Sequence, residues 1–460
     1  MPVIASMRTA ALSLALFLLT TDAWLDDFHQ ILAEMSSHYA NLDSAMRDRR
    51  LDLPALRTRA ETAIRNAKSD DEAKAAIDAF VNAFGDGHAY VEWNARPKTP
   101  AAGSLCERLG YKAGAPGGID FARVDGYAAI DDRDFPGGIL RLSGERRAGV
   151  VRIRLFSATA HPELCAAAEA SLAKPCDGED CEHRLEQAVD DLVTAALERR
   201  VEALRNAGAT AIVVDVTGNG GGSNWVEPAA RVLTPVALRS PRLGFIRHAH
   251  WTKDLNERLA DVEHDLGTNP DNALLRKAAS TLHEAIAFAG GSCDRSGLWS
   301  DPPAPPNCAF VNGDLLFATG ILPYAKPGSL PRGWARNVLF LPSQYTYHEG
   351  ANRLPLYVLV DQRTASAAEY FAAMLQDNKA ATIVGVPTFG AGCGHTNGGI
   401  PTTLKNSGAR LSLPDCVRFR ADGANEVAGV APDVLVPWSA HDSAFQRAAK
   451  AKTALNALVR

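Results

Sequence analysis

Asp215-Val-Thr-Gly-Asn-Gly-Gly-Gly222 and Thr364-Ala-Ser-Ala-Ala-Glu369 stand about 140 residues apart. Each follows a short run of strand type, Ala211-Ile-Val-Val-Asp215 and Leu356-Tyr-Val-Leu-Val-Asp361. The first segment offers backbone N–H groups at a strand end, because Gly221 and Gly222 carry no side chain to cover them. The second is a small-residue turn that delivers Ser366 to the start of a helix, where backbone N–H groups and the helix dipole favour negative charge. A nucleophile on a tight turn beside an oxyanion site is what acyl transfer requires. Taken singly, Thr364 or Ser366 could simply cap the helix, and the glycines could form a plain turn. A phosphate loop is excluded, since neither Gly-Lys-Ser/Thr nor the Rossmann glycine spacing follows.

Around these segments, strands and helices alternate. Strands are expected at 150–155, 211–215, 356–361 and 381–385, with helices at 182–207, 225–232 and 367–378. Such alternation predicts an α/β domain built on a largely parallel sheet. Apolar residues recur at helical spacing through Leu25, Phe28, Ile31 and Leu32, and again through Ala73, Ile77, Phe80 and Phe84. They predict a helical N-terminal domain, residues 24–95, which carries His88. Residues 96–147 are rich in Pro and Gly and read as a small irregular β-rich segment. Residues 148–440 form the expected catalytic domain, interrupted by an insertion at 236–350 with two polar helices, a candidate lid or cap or else a passive excursion. Residues 441–460 read as a C-terminal helix.

The net charge of −5, without a Lys/Arg cluster, argues against a nucleic-acid partner. Arg8 and the apolar run Ala10–Leu19 fit a signal peptide over 1–23, with Thr21-Asp-Ala23 as the cleavage site; an uncleaved anchor is the alternative. After cleavage no stretch is apolar enough for stable membrane insertion. The eight cysteines suit an exported, disulfide-bonded chain. Short-loop pairs would be Cys176–Cys181, Cys293–Cys308 and Cys393–Cys416; a zinc site lacks a second Cys/His pair at the usual spacing.

The two segments together resemble the tail-specific, or C-terminal-processing, serine peptidase family. Asp215–Gly222 is similar to its Asp-Leu-Arg-x-Asn-x-Gly-Gly motif, with Thr217 in place of Arg, and residues 358–369 to its Thr-Ala-Ser-Ala-Ser-Glu motif. Leu375-Gln-Asp377, Thr388-Phe-Gly-Ala-Gly392 and Gly429-Val-Ala-Pro-Asp433 continue the resemblance in order. It implies a crotonase-like (ClpP/crotonase-type) core with Ser366 as nucleophile. The Lys that serves as base in the bacterial branch is replaced here by Ala391. Asp86-Gly-His88-Ala is similar instead to the His-containing, tricorn-core-like branch, which implies His88 as base and Glu426 as its orienting acid, acting directly or through another residue. A serine stands before the histidine in that branch, where this chain has Gly87.

His395 is the alternative base, Asp86 an alternative acid, and Cys393 is expected in a disulfide that fixes its loop. The oxyanion donors would come from Gly221, Gly222 and Ala367. The expected function is an exported, periplasmic or secreted, serine endopeptidase that acts on peptides or unfolded proteins and needs no metal or organic cofactor. A non-catalytic ligand-binding protein on the same scaffold and an esterase are the alternatives.

Overall fold

The computed structural model describes residues 19–93, 103–114, 118–172, 178–396, 401–439 and 441–459. A seven-stranded sheet organises the chain. In spatial order its strands are Val434–Leu435, Thr382–Gly385, Leu356–Val360, Ala211–Asp215, Arg147–Arg152, Gly137–Arg141 and Tyr127–Ile130. The first five run parallel, and the last two add an antiparallel margin. Within the expected β-rich segment 96–147, residues 127–141 therefore supply the edge of the main sheet.

Ala211–Asp215 and Leu356–Val360 are buried along their whole length, as continuous apolar runs in a parallel sheet should be. Successive side chains point to opposite faces. Ile212, Val214, Val358 and Val360 pack under helices Glu179–Asn206, Val226–Val232 and Ala367–Asp377. Ala211, Val213, Tyr357 and Leu359 pack on the other side with Ala448, Ala451 and Leu455 of helix Ala444–Leu458.

The N-terminal helices Thr21–His38, Leu42–Arg47, Leu53–Asn66 and Asp70–Asn82 enclose their own core of Phe28, Ile31, Ile77, Phe80 and Phe84. Residues 1–18 lie outside the description, whereas Thr21–Ala23, the expected cleavage site, form the first turn of a helix whose Trp24 and Leu25 are buried. The insertion contains helices Ala249–Thr268 and Ala273–Ala289, packed through Trp251, Leu255, Leu275 and Leu282.

The insertion is bound into the body. Its strands Arg242–Ile246 and Val311–Phe317 form one sheet with Cys416–Phe419. Arg295, fully buried, donates to the carbonyls of Met35, Ser36 and Tyr39. The insertion thus bridges the N-terminal helices and strand Cys416–Phe419. Disulfides join Cys106–Cys165, Cys293–Cys308 and Cys393–Cys416. The expected Cys176 pairing falls on a residue outside the description. Among the described residues no helix is long and apolar enough to cross a membrane.

Candidate active site

The site lies at the carboxyl ends of two adjacent parallel strands, where α/β sheets present their loops. After Leu356–Val360 the chain turns through buried Asp361 and Thr364 into Ser366, which precedes helix Ala367–Asp377. Ser366 has φ 55° and ψ −120°, a conformation costly for a residue with a Cβ, on the order of 1–3 kcal/mol. The surroundings hold it there. Ala365 N–H donates to the Asn219 carbonyl (2.9 Å), Thr364 Oγ1 to the Val216 carbonyl (3.0 Å), and Gly218 N–H to Asp361 Oδ1 (2.7 Å). The glycine loop and the serine turn are thus one bonded unit.

The glycine requirement is steric at Gly221. A Cβ there would sit 2.7 Å from Ser366 Cβ and 2.9 Å from Ala367 N, and its φ of +114° disfavours other residues. The Gly221 N–H, expected as an oxyanion donor, is instead taken by Asn219 Oδ1 at 2.8 Å. Its loop folds on its own side chain, a local competition that glycine spacing alone does not reveal. The N–H groups of Gly222 and Ala367 have no hydrogen-bond partner among the described residues. Where the resembled motif carries Arg, Thr217 accepts from Arg152 of a neighbouring strand (3.4 Å), and Arg152 also pairs with Asp215 Oδ1 at 3.0 Å. A guanidinium thus reaches the position from elsewhere in the sheet.

His88 Nε2 lies 3.1 Å from Ser366 Oγ, although 278 residues separate the two. The other ring nitrogen, Nδ1, is 2.7 Å from the Ala391 carbonyl. A carbonyl only accepts, so Nδ1 carries the hydrogen and Nε2 presents its lone pair to the serine hydroxyl. The residue that replaces the lysine therefore still serves the site through its backbone. Asp86 is a scaffold for this arrangement. Its carboxylate accepts from Tyr39 Oη, Asn41 Nδ2 and the His88 N–H. Burial raises its pKa, opposed by these hydrogen bonds.

Glu426 does not reach His88 directly. Both its oxygens are held by Arg418, at 2.9 and 2.8 Å, and Arg418 donates onward to the Gly392 carbonyl at 2.7 Å. A buried carboxylate beside a guanidinium fork takes that partner first. Arg418 and the 391–392 backbone lie between Glu426 and His88. His395 is exposed and faces a different cavity from the Ser366–His88 contact.

Sequence reading gave no role to Glu369. It is fully buried and accepts from Ser366 N (2.9 Å), Thr388 Oγ1 (2.6 Å), Gly390 N (2.6 Å) and Ala391 N (2.8 Å). One carboxylate thereby ties the serine turn to the loop that orients His88. The available signal was a carboxylate three residues into a helix, the capping-box position. Among the described residues no group of three or more His, Cys, Asp or Glu is placed to hold a metal ion.

The family model described as Peptidase family S41 matches residues 314–436. A carboxyl-terminal-processing protease of Synechocystis sp. is 59% identical over 44 residues, 10% of each chain. An uncharacterized protein of Chlamydia muridarum is 33% identical over 92 residues, 20% of this chain and 15% of that one. The aligned stretches thus span well under two thirds of these relatives. The crystal structure of mature CPAF superposes with a TM-score of 0.60 at 15% identity, covering 95% of this chain and 97% of that one, which establishes a shared fold. Over residues 314–436 the chain is similar to peptidase family S41, and a short stretch is similar to a carboxyl-terminal-processing protease.

Proposed function

We propose that the protein is an exported serine endopeptidase of the His-containing type, on a crotonase-like core with an inserted cap. The observation that carries this reading is the chain Ser366 Oγ, His88 Nε2, His88 Nδ1, Ala391 carbonyl, with contacts of 3.1 and 2.7 Å. His88 takes the Ser366 proton as Oγ attacks a peptide carbonyl, and returns it to the leaving amine. The Ala391 carbonyl stabilises the imidazolium formed between the two transfers. The N–H groups of Gly222 and Ala367 receive the oxyanion; loss of one such donor typically costs about 100-fold or more in rate. Glu426 acts indirectly, fixing the loop through Arg418. The amino-terminal apolar run and the disulfides support export.

A protein of this fold, mature CPAF, has been crystallised with lactacystin (TM-score 0.58, 15% identity, 95% of this chain and 98% of that one). Unfolded polypeptide is the proposed substrate class. The test is labelling with a fluorophosphonate, followed by peptide mapping. Modification of Ser366 that His88→Ala abolishes and His395→Ala spares supports the reading. No labelling of folded protein would favour a ligand-binding role, and hydrolysis of esters but not peptides would make it an esterase.

A further inference from the structure

Among the described residues five large apolar side chains are exposed, and one of them, Phe389, is bonded through its backbone to the serine turn. Phe389 N–H donates to the Thr364 carbonyl at 3.0 Å, two residues before Ser366. Its neighbours in sequence are held as firmly. Thr388 N–H donates to the Val430 carbonyl (3.2 Å), and Gly390 N–H to Glu369 Oε1 (2.6 Å). The Gly390 carbonyl in turn accepts from Gly87 N–H at 3.4 Å. The ring lies on Gly87, where a Cβ would meet it at 2.2 Å. A fixed backbone thus presents a side chain that is 56% exposed, against the residue before His88.

Packing does not account for that placement. More than half of the residue stays in water, so much of its apolar surface gains nothing on folding. A substrate side chain laid on the ring would take apolar surface of both partners out of water. Because the backbone is already fixed and an aromatic side chain has few torsions to freeze, such a contact costs little entropy.

The chemistry decides which part of a substrate passes this ring. His88 takes the Ser366 proton and must hand it to the leaving amine, so the leaving segment lies on the base's side of the nucleophile. Phe389, seated on Gly87, borders that side.

We propose that Phe389 is a specificity-determining residue, whose ring receives an apolar or aromatic side chain from the first few residues after the scissile bond. The proposal rests on the peptidase reading, with Ser366 as nucleophile and His88 as base. The same ring disfavours a charged side chain there, because it displaces water and offers no hydrogen bond in return.

Cleavage of a proteome-derived peptide library by the full chain, with the new amino termini identified by mass spectrometry, reads this preference directly. Wild type should enrich Phe, Tyr, Leu and Met just after the cut, and Phe389→Ala should lose that enrichment. Phe389→Tyr, which keeps the ring, should retain it. Trp334→Ala removes a comparably exposed aromatic from the insertion and should leave the profile as it is. On two peptides that differ only at the preferred position, Phe against Ser, wild type should favour Phe about tenfold in kcat/KM, chiefly through KM. Phe389→Ala should bring the two peptides within about twofold. A wild-type profile without enrichment after the cut, or an enrichment that Phe389→Ala keeps, would overturn the subsite. A wild type that cuts nothing in the library would instead defeat the peptidase reading, and the subsite with it.

Discussion

Glu369→Gln is the sharpest test of how the site is held together, because it changes one charge with almost no change in volume. Oε1 accepts from Thr388 Oγ1 and Gly390 N, and Oε2 from Ser366 N and Ala391 N. Thr388 Oγ1 also accepts from Val430 N at 2.7 Å while its own hydrogen goes to the carboxylate. A glutamine must place its NH₂ where one of these oxygens stood. Either orientation loses at least one bond from a backbone N–H, Gly390 or the Ser366 and Ala391 pair, and sets donor against donor. Bonds to a charged acceptor are worth about 1.5–3 kcal/mol each, and release of the desolvated charge returns part of this. The expected net loss is about 3 kcal/mol, read as a lower urea midpoint.

The serine turn and the Ala391 carbonyl would also part, so kcat should fall about 100-fold with a smaller change in KM. Urea titration followed by fluorescence, beside kcat and KM on an unstructured peptide, measures both effects. An unchanged midpoint with kcat within about twofold of wild type would refute the view that Glu369 joins nucleophile and base.

Other outcomes follow from the same geometry. Asp190 is raised to about 7 by burial first, with Glu186 and Asp191 alongside. A carboxyl raised on folding loses stability as pH climbs from its unfolded value through about 7, so Asp190→Asn should raise Tm at pH 8 by a few degrees and do little at pH 5. Equal shifts at both pH values would contradict this assignment. At Gly87 a Cβ would lie 2.2 Å from the Phe389 ring and 3.2 Å from Ala391 Cβ. Gly87→Ala should therefore lower kcat about tenfold or more, and adding Phe389→Ala should recover much of it; additive losses in the double variant would be the contrary result.

The parallel sheet was legible because its strands are short, fully buried apolar runs separated by helical periods; Ala211–Asp215 and Leu356–Val360 fall where the pattern predicts. The placement of Ser366 beside His88 followed from motif order and could not have come from spacing, since the contact spans 278 residues. What escaped is carried by backbone atoms or by distant substitutes. The acceptor for His88 is the carbonyl of Ala391, which any residue could supply. The Gly221 amide is claimed by a side chain two residues before it, and the arginine missing at 217 is answered by Arg152. The insertion read as a candidate lid or cap, or else a passive excursion, because it separates the two site-forming segments. Its attachment depends on Arg295 and on pairing with Cys416–Phe419, neither of which leaves a local pattern.

The central claim is that Ser366 and His88 perform the chemistry together. Cleavage of an unfolded protein by residues 24–460 should be measured beside Ser366→Ala and His88→Ala, with circular dichroism to verify each fold. The account predicts cleavage by wild type and loss of at least about 1000-fold in each variant. Full retention of cleavage in His88→Ala, or an inert wild type on peptide and ester substrates alike, would contradict it.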